Sequence, residues 1–172
     1  MVSNLSSFFR HSLSKGEDVI TLAEEERHVR SYLQIQHARY KDIMEYTVDI
    51  DPALRNVMLP KLTLQPLVEN ALYHGIKLKR AKGTINITGR LEDGCVVLRV
   101  EDNGVGMTAR RLDQLRTAME RQERVGFGLS AVNQRLILQF GPEYGLHIAS
   151  VEGVGTTVTV RIPDTAREVT IR

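Results

Sequence analysis

Tryptophan is absent from this 172-residue chain, cysteine occurs once, and aromatic residues make up only 5% of it. With a single thiol, Cys95, no internal disulfide framework can form, and the composition fits a reducing compartment. No apolar run approaches the ~20 residues of a membrane span, and no signal-peptide pattern opens the chain. A cytoplasmic polypeptide is expected. Charge of one sign is missing too. The formal net charge is +2, with acidic and basic residues interspersed, which argues for neither nucleic acid nor a membrane surface. There is no internal repeat and no low-complexity stretch. What remains is an ordinary globular composition, 42% hydrophobic and 26% charged, long enough for one buried core and a short appendage.

Leu5, Phe8, Phe9 and Leu13 recur at helical spacing and stop at Gly16, like the end of a longer helix. Phe8 and Phe9 are expected to lack the neighbours they would pack against. Thr21 followed by Glu24 forms a capping box, and the helix it opens is predicted to run to about Tyr40 on a stripe of Val29, Tyr32, Leu33 and Ile35. Residues 44–51 alternate as a strand and end at Asp-Pro. A loop through Pro60 leads to a helix over 67–77, with Pro66 tolerated in its first turn. Two strand-like runs joined by "EDG" read as a hairpin, with Cys95 as a small core side chain. A helical stretch at 109–122, a helix over 129–140 ended by Gly-Pro, and two last strands around "EGVG" complete the chain. Hairpin-linked strands with helices between them predict an α+β fold, a two-layer sandwich whose mixed, mostly antiparallel sheet is covered by helices on one face.

Glycines cluster in "DNGVG" (102–106), "GFG" (126–128) and "GVGTT" (153–157). Such turns let backbone approach a ligand closely, although each alone is weak, and the last is also a plausible hairpin turn. Both "GVGMTA" and "GFGLSA" imitate a dinucleotide fingerprint. Glu101 and Asp102 would then repel the pyrophosphate, and the strands are hairpin-linked rather than joined by crossovers, so that reading is rejected. No P-loop and no protein-kinase H-R-D or D-F-G element occurs.

The helix "LVENALYHGIK" carries an unusual polar set. At regular helical spacing residues 70, 73, 74 and 77 share one face, while Leu67, Val68, Ala71 and Leu72 cover much of the rest. An amide, an imidazole and an ammonium side by side suit a metal–polyphosphate. Mg²⁺ takes oxygen ligands together with water and substrate phosphates, so one Asn can suffice. Lys77 supplies positive charge, and Glu69 can take a proton from a nucleophile. The competing reading is a partly solvated helix with incidental polar residues.

"LVENALYHGIK", "DNGVGM", "GFGLSAVNQRL" and "GVGTTVTVRIP" resemble, in order and spacing, the N, G1, G2 and G3 boxes of the GHKL (Bergerat) ATP-binding fold shared by histidine kinases, Hsp90, type II topoisomerase and MutL. The N-terminal stretch is similar to the segment preceding that domain in LytS/YesM-type sensor histidine kinases. The resemblance implies ATP and Mg²⁺ as cofactors, with Asn70 as the metal ligand and Glu69 as the acid assisting the phosphoacceptor. His74 and Lys77 would lie along the phosphates. Asp102 would accept a hydrogen bond from the adenine amino group, with Gly104 and Gly106 close to base and ribose. Gly126, Phe127, Gly128 and Leu129 would form the hinge and phosphate cradle closing the ATP lid, ahead of the helix with Asn133. Thr156 would support the adenine through Asp102 and a water. Residues 110–124 would be a mobile lid whose arginines reach the triphosphate.

The resemblance further implies residues 1–40 as a helical remnant of the dimerisation and phosphoacceptor region, and 41–172 as the catalytic domain. The γ-phosphoryl would pass to a histidine absent from this chain, since no H-F-x-x-N motif occurs; His11, His28, His37 and His147 carry no supporting neighbours. The chain is thus expected to be the C-terminal part of a membrane-bound sensor that is dimeric when whole, the piece itself being monomeric. Its partners would be the acceptor helices and a response regulator. A nucleotide-binding module without transfer chemistry, or another GHKL ATPase or serine kinase, is the alternative.

Overall fold

A computed structural model describes residues 18–123 and 128–165. The predicted N-terminal helix, with Phe8 and Phe9, and the pair Gly126 and Phe127 lie outside the described residues. A short strand β1 (Val19–Thr21) leads into α1 (Leu22–Tyr40). The capping box is present: the Thr21 hydroxyl accepts the Glu24 N–H at 3.2 Å, and the Glu24 carboxylate accepts the Thr21 N–H at 2.9 Å. The strand β2 (Met44–Ile50) is followed by a 3₁₀ turn, Pro52–Leu54, and by β3 (Met58–Pro60), which pairs antiparallel with β1. Neither β1 nor β3 is signalled by the sequence, because three residues are too few to show alternation.

Helix α2 (Leu64–Asn70) continues as a π-helix over Ala71–Ile76. Then come β4 (Gly83–Glu92), β5 (Cys95–Asp102), α3 (Ala109–Glu120), α4 (Leu129–Phe140), β6 (Gly145–Val151) and β7 (Gly155–Pro163). The main sheet has the order β2-β4-β5-β7-β6; β2 and β4 are parallel and the other pairs antiparallel. Asp93 (φ 49°) and Gly94 (φ 78°) form the two-residue turn between β4 and β5, as "EDG" predicts.

Alternation along the strands decides which face is covered. Ile85, Ile87, Leu98, Val100, Val158 and Val160 join the helices in one core, while Asn86, Arg99, Glu101, Thr157 and Thr159 occupy the other face. Arg99 is held there by both Glu92 oxygens at 2.7 and 2.9 Å. Cys95 departs from expectation: at the strand start opposite Pro163 it is half-buried rather than a core residue.

Helix α1 shares this core. Leu22, Val29 and Leu33 are fully buried in the cluster that contains the sheet, so packing shows no break at residue 40. Ile35, expected on the apolar stripe, is instead 67% exposed, because the buried positions are 22, 25, 29, 33 and 36. Among the described residues no helix is long and apolar enough to cross a membrane. Replacing Leu33 by Ala should therefore destabilise the whole unit, by about 3 kcal/mol for a fully buried leucine. Urea unfolding followed by circular dichroism and by tyrosine fluorescence should still give coincident transitions; a separate early loss of helix would show that α1 folds apart from the sheet.

Candidate functional site

The site is built on α2 and its π-helical extension. Leu64, Leu67, Val68, Ala71 and Leu72 are buried against the core. Glu69, Asn70 and His74 consequently face the other way, onto a cavity of about 430 Å³. Gly128, Tyr73 and Arg135 complete this part of its wall. The structure thus brings together four residues singled out in the sequence: Glu69, Asn70, His74 and Gly128.

Asn70 is the telling one. The residue is only 7% exposed and its side chain makes no capping bond to the helix. Its amide is left to the cavity it borders, where a ligand would supply its hydrogen-bond partners. Glu69 is oriented by Gln65, whose amide donates to its carboxylate at 3.1 Å. Burial, then the charge of Arg111, pushes the His74 imidazole below its ordinary pKa, so it is neutral at pH 7. It offers a hydrogen bond there, not a positive charge. Gly128 stands at φ 69° as the residue that begins α4, a conformation that explains the glycine.

Regular helical spacing fails beyond Asn70. The Lys77 N–H donates to the Leu72 carbonyl, five residues back, at 2.9 Å. This wider winding changes the phase of everything after Ala71. Lys77 does not border the cavity. Its ammonium lies 4.8 Å from the Tyr40 ring centre and 4.7 Å from that of Tyr73, with the Tyr40 hydroxyl at 3.3 Å. Its charge ties the π-helix to the end of α1.

The winding also seats Gly75 against the loop after β5. A Cβ on Gly75 would fall 2.6 Å from Asp102 Oδ1, and one on Gly104 would fall 2.2 Å from the Gly75 carbonyl carbon. The Asp102 carboxylate accepts the Gly104 N–H at 2.9 Å. Burial raises its pKa to about 6, against the opposing pull of the Gly104 and Thr156 N–H groups and of Lys79. Thr156 faces Asp102 across the β5–β7 pair, and its hydroxyl lies 2.8 Å from that of Ser150. Asp102 and Thr156 border a second cavity, of about 510 Å³, apart from the one at Asn70. Gly106 packs on the turn after β6, its Cα too close to the Val151 carbonyl for any side chain. Leu129 is fully buried and anchors α4.

The expected lid is largely a packed helix. Leu112, Leu115, Ala118 and Met119 bury one side of α3, and the Arg116 guanidinium turns to the Ile148 carbonyl. Three contributors escape a reading of the sequence: Gly75, Leu62 and Arg135. A glycine inside a helical pattern was the available signal for the first. The other two depend on contacts more than 70 residues apart and left none.

The raised pKa of Asp102 has a consequence for folding. A carboxyl whose folded pKa lies above its unfolded value binds more protons when folded, so it costs stability as pH rises from about 4 to about 6 and by a constant amount above. The full cost is on the order of 3 kcal/mol. Asp102→Asn should therefore raise the melting temperature at pH 8, with the gain shrinking below pH 6 and vanishing near pH 4. Thermal melts of both proteins across that range check this; a loss of stability at pH 8 would contradict it.

Residues 59–166 match the family described as histidine kinase-, DNA gyrase B- and HSP90-like ATPase, and residues 1–44 match the histidine kinase family. The sensor histidine kinase YesM of Bacillus subtilis (strain 168) is 37% identical over 163 residues, which cover 95% of this chain and 27% of YesM. BtsS of Escherichia coli (strain K12) is 36% identical with the same coverage. The chain spans little more than a quarter of the length of these relatives. Among solved structures, the histidine kinase domain of the Erythrobacter litoralis EL346 blue-light activated histidine kinase superposes with a TM-score of 0.61 at 22% identity, covering 88% of this chain and 65% of that one. The catalytic domain of the histidine kinase ThkA gives 0.59 at 17%, covering 85% and 94%. Those superpositions establish the α+β sandwich as a shared fold. The chain belongs to the histidine kinase-, DNA gyrase B- and HSP90-like ATPase family.

Proposed function

We propose that this chain is the catalytic part of a sensor histidine kinase, binding Mg·ATP and passing its γ-phosphoryl to a histidine of the parent protein. The observation that carries the reading is the convergence of Asn70, Glu69 and a neutral His74 on one cavity at the end of α2. Asn70 would hold the ion through its amide oxygen. Among the described residues no three His, Cys, Asp or Glu side chains cluster, so phosphate oxygens and water would fill the remaining positions. Mg²⁺, when bound, would neutralise charge on the polyphosphate.

The chain's own residues supply orientation. Asp102, ionised at pH 7, would accept from the adenine amino group, with Thr156 supporting it from the neighbouring strand. His74 would donate to a phosphate oxygen, and the glycine at the start of α4 would leave room for close approach. Glu69 would take the proton from the attacking histidine nitrogen as the bond to the γ-phosphorus forms and ADP departs. Such transfer relies on positioning and charge rather than covalent chemistry from the protein. Lys77, held by two tyrosines, would have to leave them to reach a phosphate. The parent is read as a homodimer acting on a response regulator, with this part on the cytoplasmic side of a membrane.

Binding of ATP with and without Mg²⁺, compared among wild type, Asp102→Asn and Asn70→Ala, tests the assignment. Asn70→Ala should lose the Mg²⁺-dependent part of the affinity, about ten-fold, and Asp102→Asn should lose binding with or without the ion. Intact Mg·ATP affinity and phosphotransfer in Asn70→Ala would refute the metal role. Adding the acceptor-helix region with [γ-³²P]ATP should give acid-labile, base-stable label. Free phosphate without labelled protein would mark an ATPase, acid-stable label a serine kinase, and no turnover a binding module.

A further inference from the structure

We infer that Glu25 is a positioning residue for the nucleotide site, holding the loop 61–63 against Arg135 so that α2 presents Asn70 to its ligand. The inference rests on the Mg·ATP reading of the cavity.

Glu25 lies on α1 in the phase of the apolar stripe, between Leu22 and Val29, and is 1% exposed. A carboxylate buried there needs hydrogen bonds, and it finds them across the fold. Its two oxygens accept the Leu62 N–H at 3.2 Å and the Leu64 N–H at 2.8 Å. The same loop is held from the opposite side by Arg135 on α4. That guanidinium donates to the Leu62 carbonyl at 2.6 Å and also to the Lys61 carbonyl. Glu25 in turn offsets part of the cost of burying Arg135. Thr63 adds a bond of 2.6 Å to the Pro60 carbonyl.

What this clamp holds is strained. Leu62 has φ 61°, a left-handed conformation that a leucine adopts only when its surroundings impose it. Leu62 borders the cavity with Asn70, and α2 begins two residues later. The phase and tilt of α2, and hence the aim of Asn70, are therefore set where Glu25 and Arg135 meet the loop. An apolar residue at 25 would serve the core equally well. The carboxylate earns a reason in what it joins: α1 lies in the region matching the histidine kinase family, and α2 in the region matching the ATPase family. A displacement of α1 releases two backbone bonds at the entrance to α2, so the position of α1 is read at the phosphate end of the site. Among the described residues, none of the clamp's hydrogen bonds reaches Asp102 or Thr156 at the adenine end.

Two measurements on the 172-residue chain test this. In the ligand-free protein, amide hydrogen exchange at Leu62 and Leu64 should quicken at least ten-fold in Glu25→Gln, whose amide group opposes one of the two N–H donors. In titrations, the Mg²⁺-dependent gain in ATP affinity should fall about ten-fold in Glu25→Gln, while AMP affinity stays within about two-fold. Adding Leu62→Gly to Glu25→Gln should restore part of the gain, because glycine holds φ 61° unaided. A folded Glu25→Gln chain that keeps the full gain, or loses AMP and Mg·ATP affinity in parallel, would overturn the inference. Should Glu25→Gln fail to fold, Glu25→Asp, whose shorter carboxylate cannot reach both N–H groups, decides by the same criterion. A wild-type chain without any Mg²⁺-dependent gain would sink the nucleotide reading instead, and the exchange rates alone would then judge the clamp.

Discussion

Gly75 and Gly104 touch backbone to backbone, and no side chain larger than hydrogen fits at either position. That contact joins the two halves of the site. On one side runs the π-helical continuation of α2, with Asn70 just before it and His74 within it; on the other lies the end of β5 with Asp102. Because Gly75 abuts the Asp102 carboxylate itself, the phosphate end and the base end keep a fixed spacing. The wide winding is what lets Gly75 reach the loop, and α-helices interrupted in this way often mark functional sites.

The charges of the domain divide into two kinds. On the open face of the sheet, pairs such as Arg99 with Glu92 are solvated and contribute little to stability. The buried polar groups, Glu25, Asn70 and Asp102, are each placed at a cost. Glu25 recovers it through two backbone donors and Asp102 in part through two N–H groups, while Asn70 lines the open cavity. This is the pattern of a site that is completed by its ligand.

Much of this was legible in the sequence, for physical reasons that differ by element. Capping chemistry marked the start of α1, period-2 alternation marked β4, β5 and β7, and Asp93-Gly94 marked their turn. Four motifs in order marked the family; two of them, through Glu69, Asn70, His74 and Gly128, converge on one cavity, and a third, through Gly104, touches Gly75. What stayed hidden is long-range or depends on a change of helical pitch. Lys77 lies against Tyr40 and Tyr73 rather than on the cavity, a placement that a uniform 3.6-residue period through Ala71–Ile76 does not foresee. Glu25 stands in a run of three acids that masks it, although its phase with Leu22 and Val29 carries the clue. The strained Leu62 had no signature, since leucine is not the residue that a left-handed turn calls for.

The parallel pairing of β2 with β4 sets one further condition. Parallel neighbours cannot be joined by a tight turn, so the chain from 51 to 82 must cross over the sheet before β2 can dock. That crossover contains Leu62, Glu69, Asn70, His74 and Gly75. The other strands in the sheet are antiparallel, and two of their pairs are closed by short local turns. Recognition surface and topological link are therefore one segment. Lengthening or trimming it to alter what is bound also alters the loop that closes the sheet, so this fold lets its binding helix vary in side chains far more readily than in length.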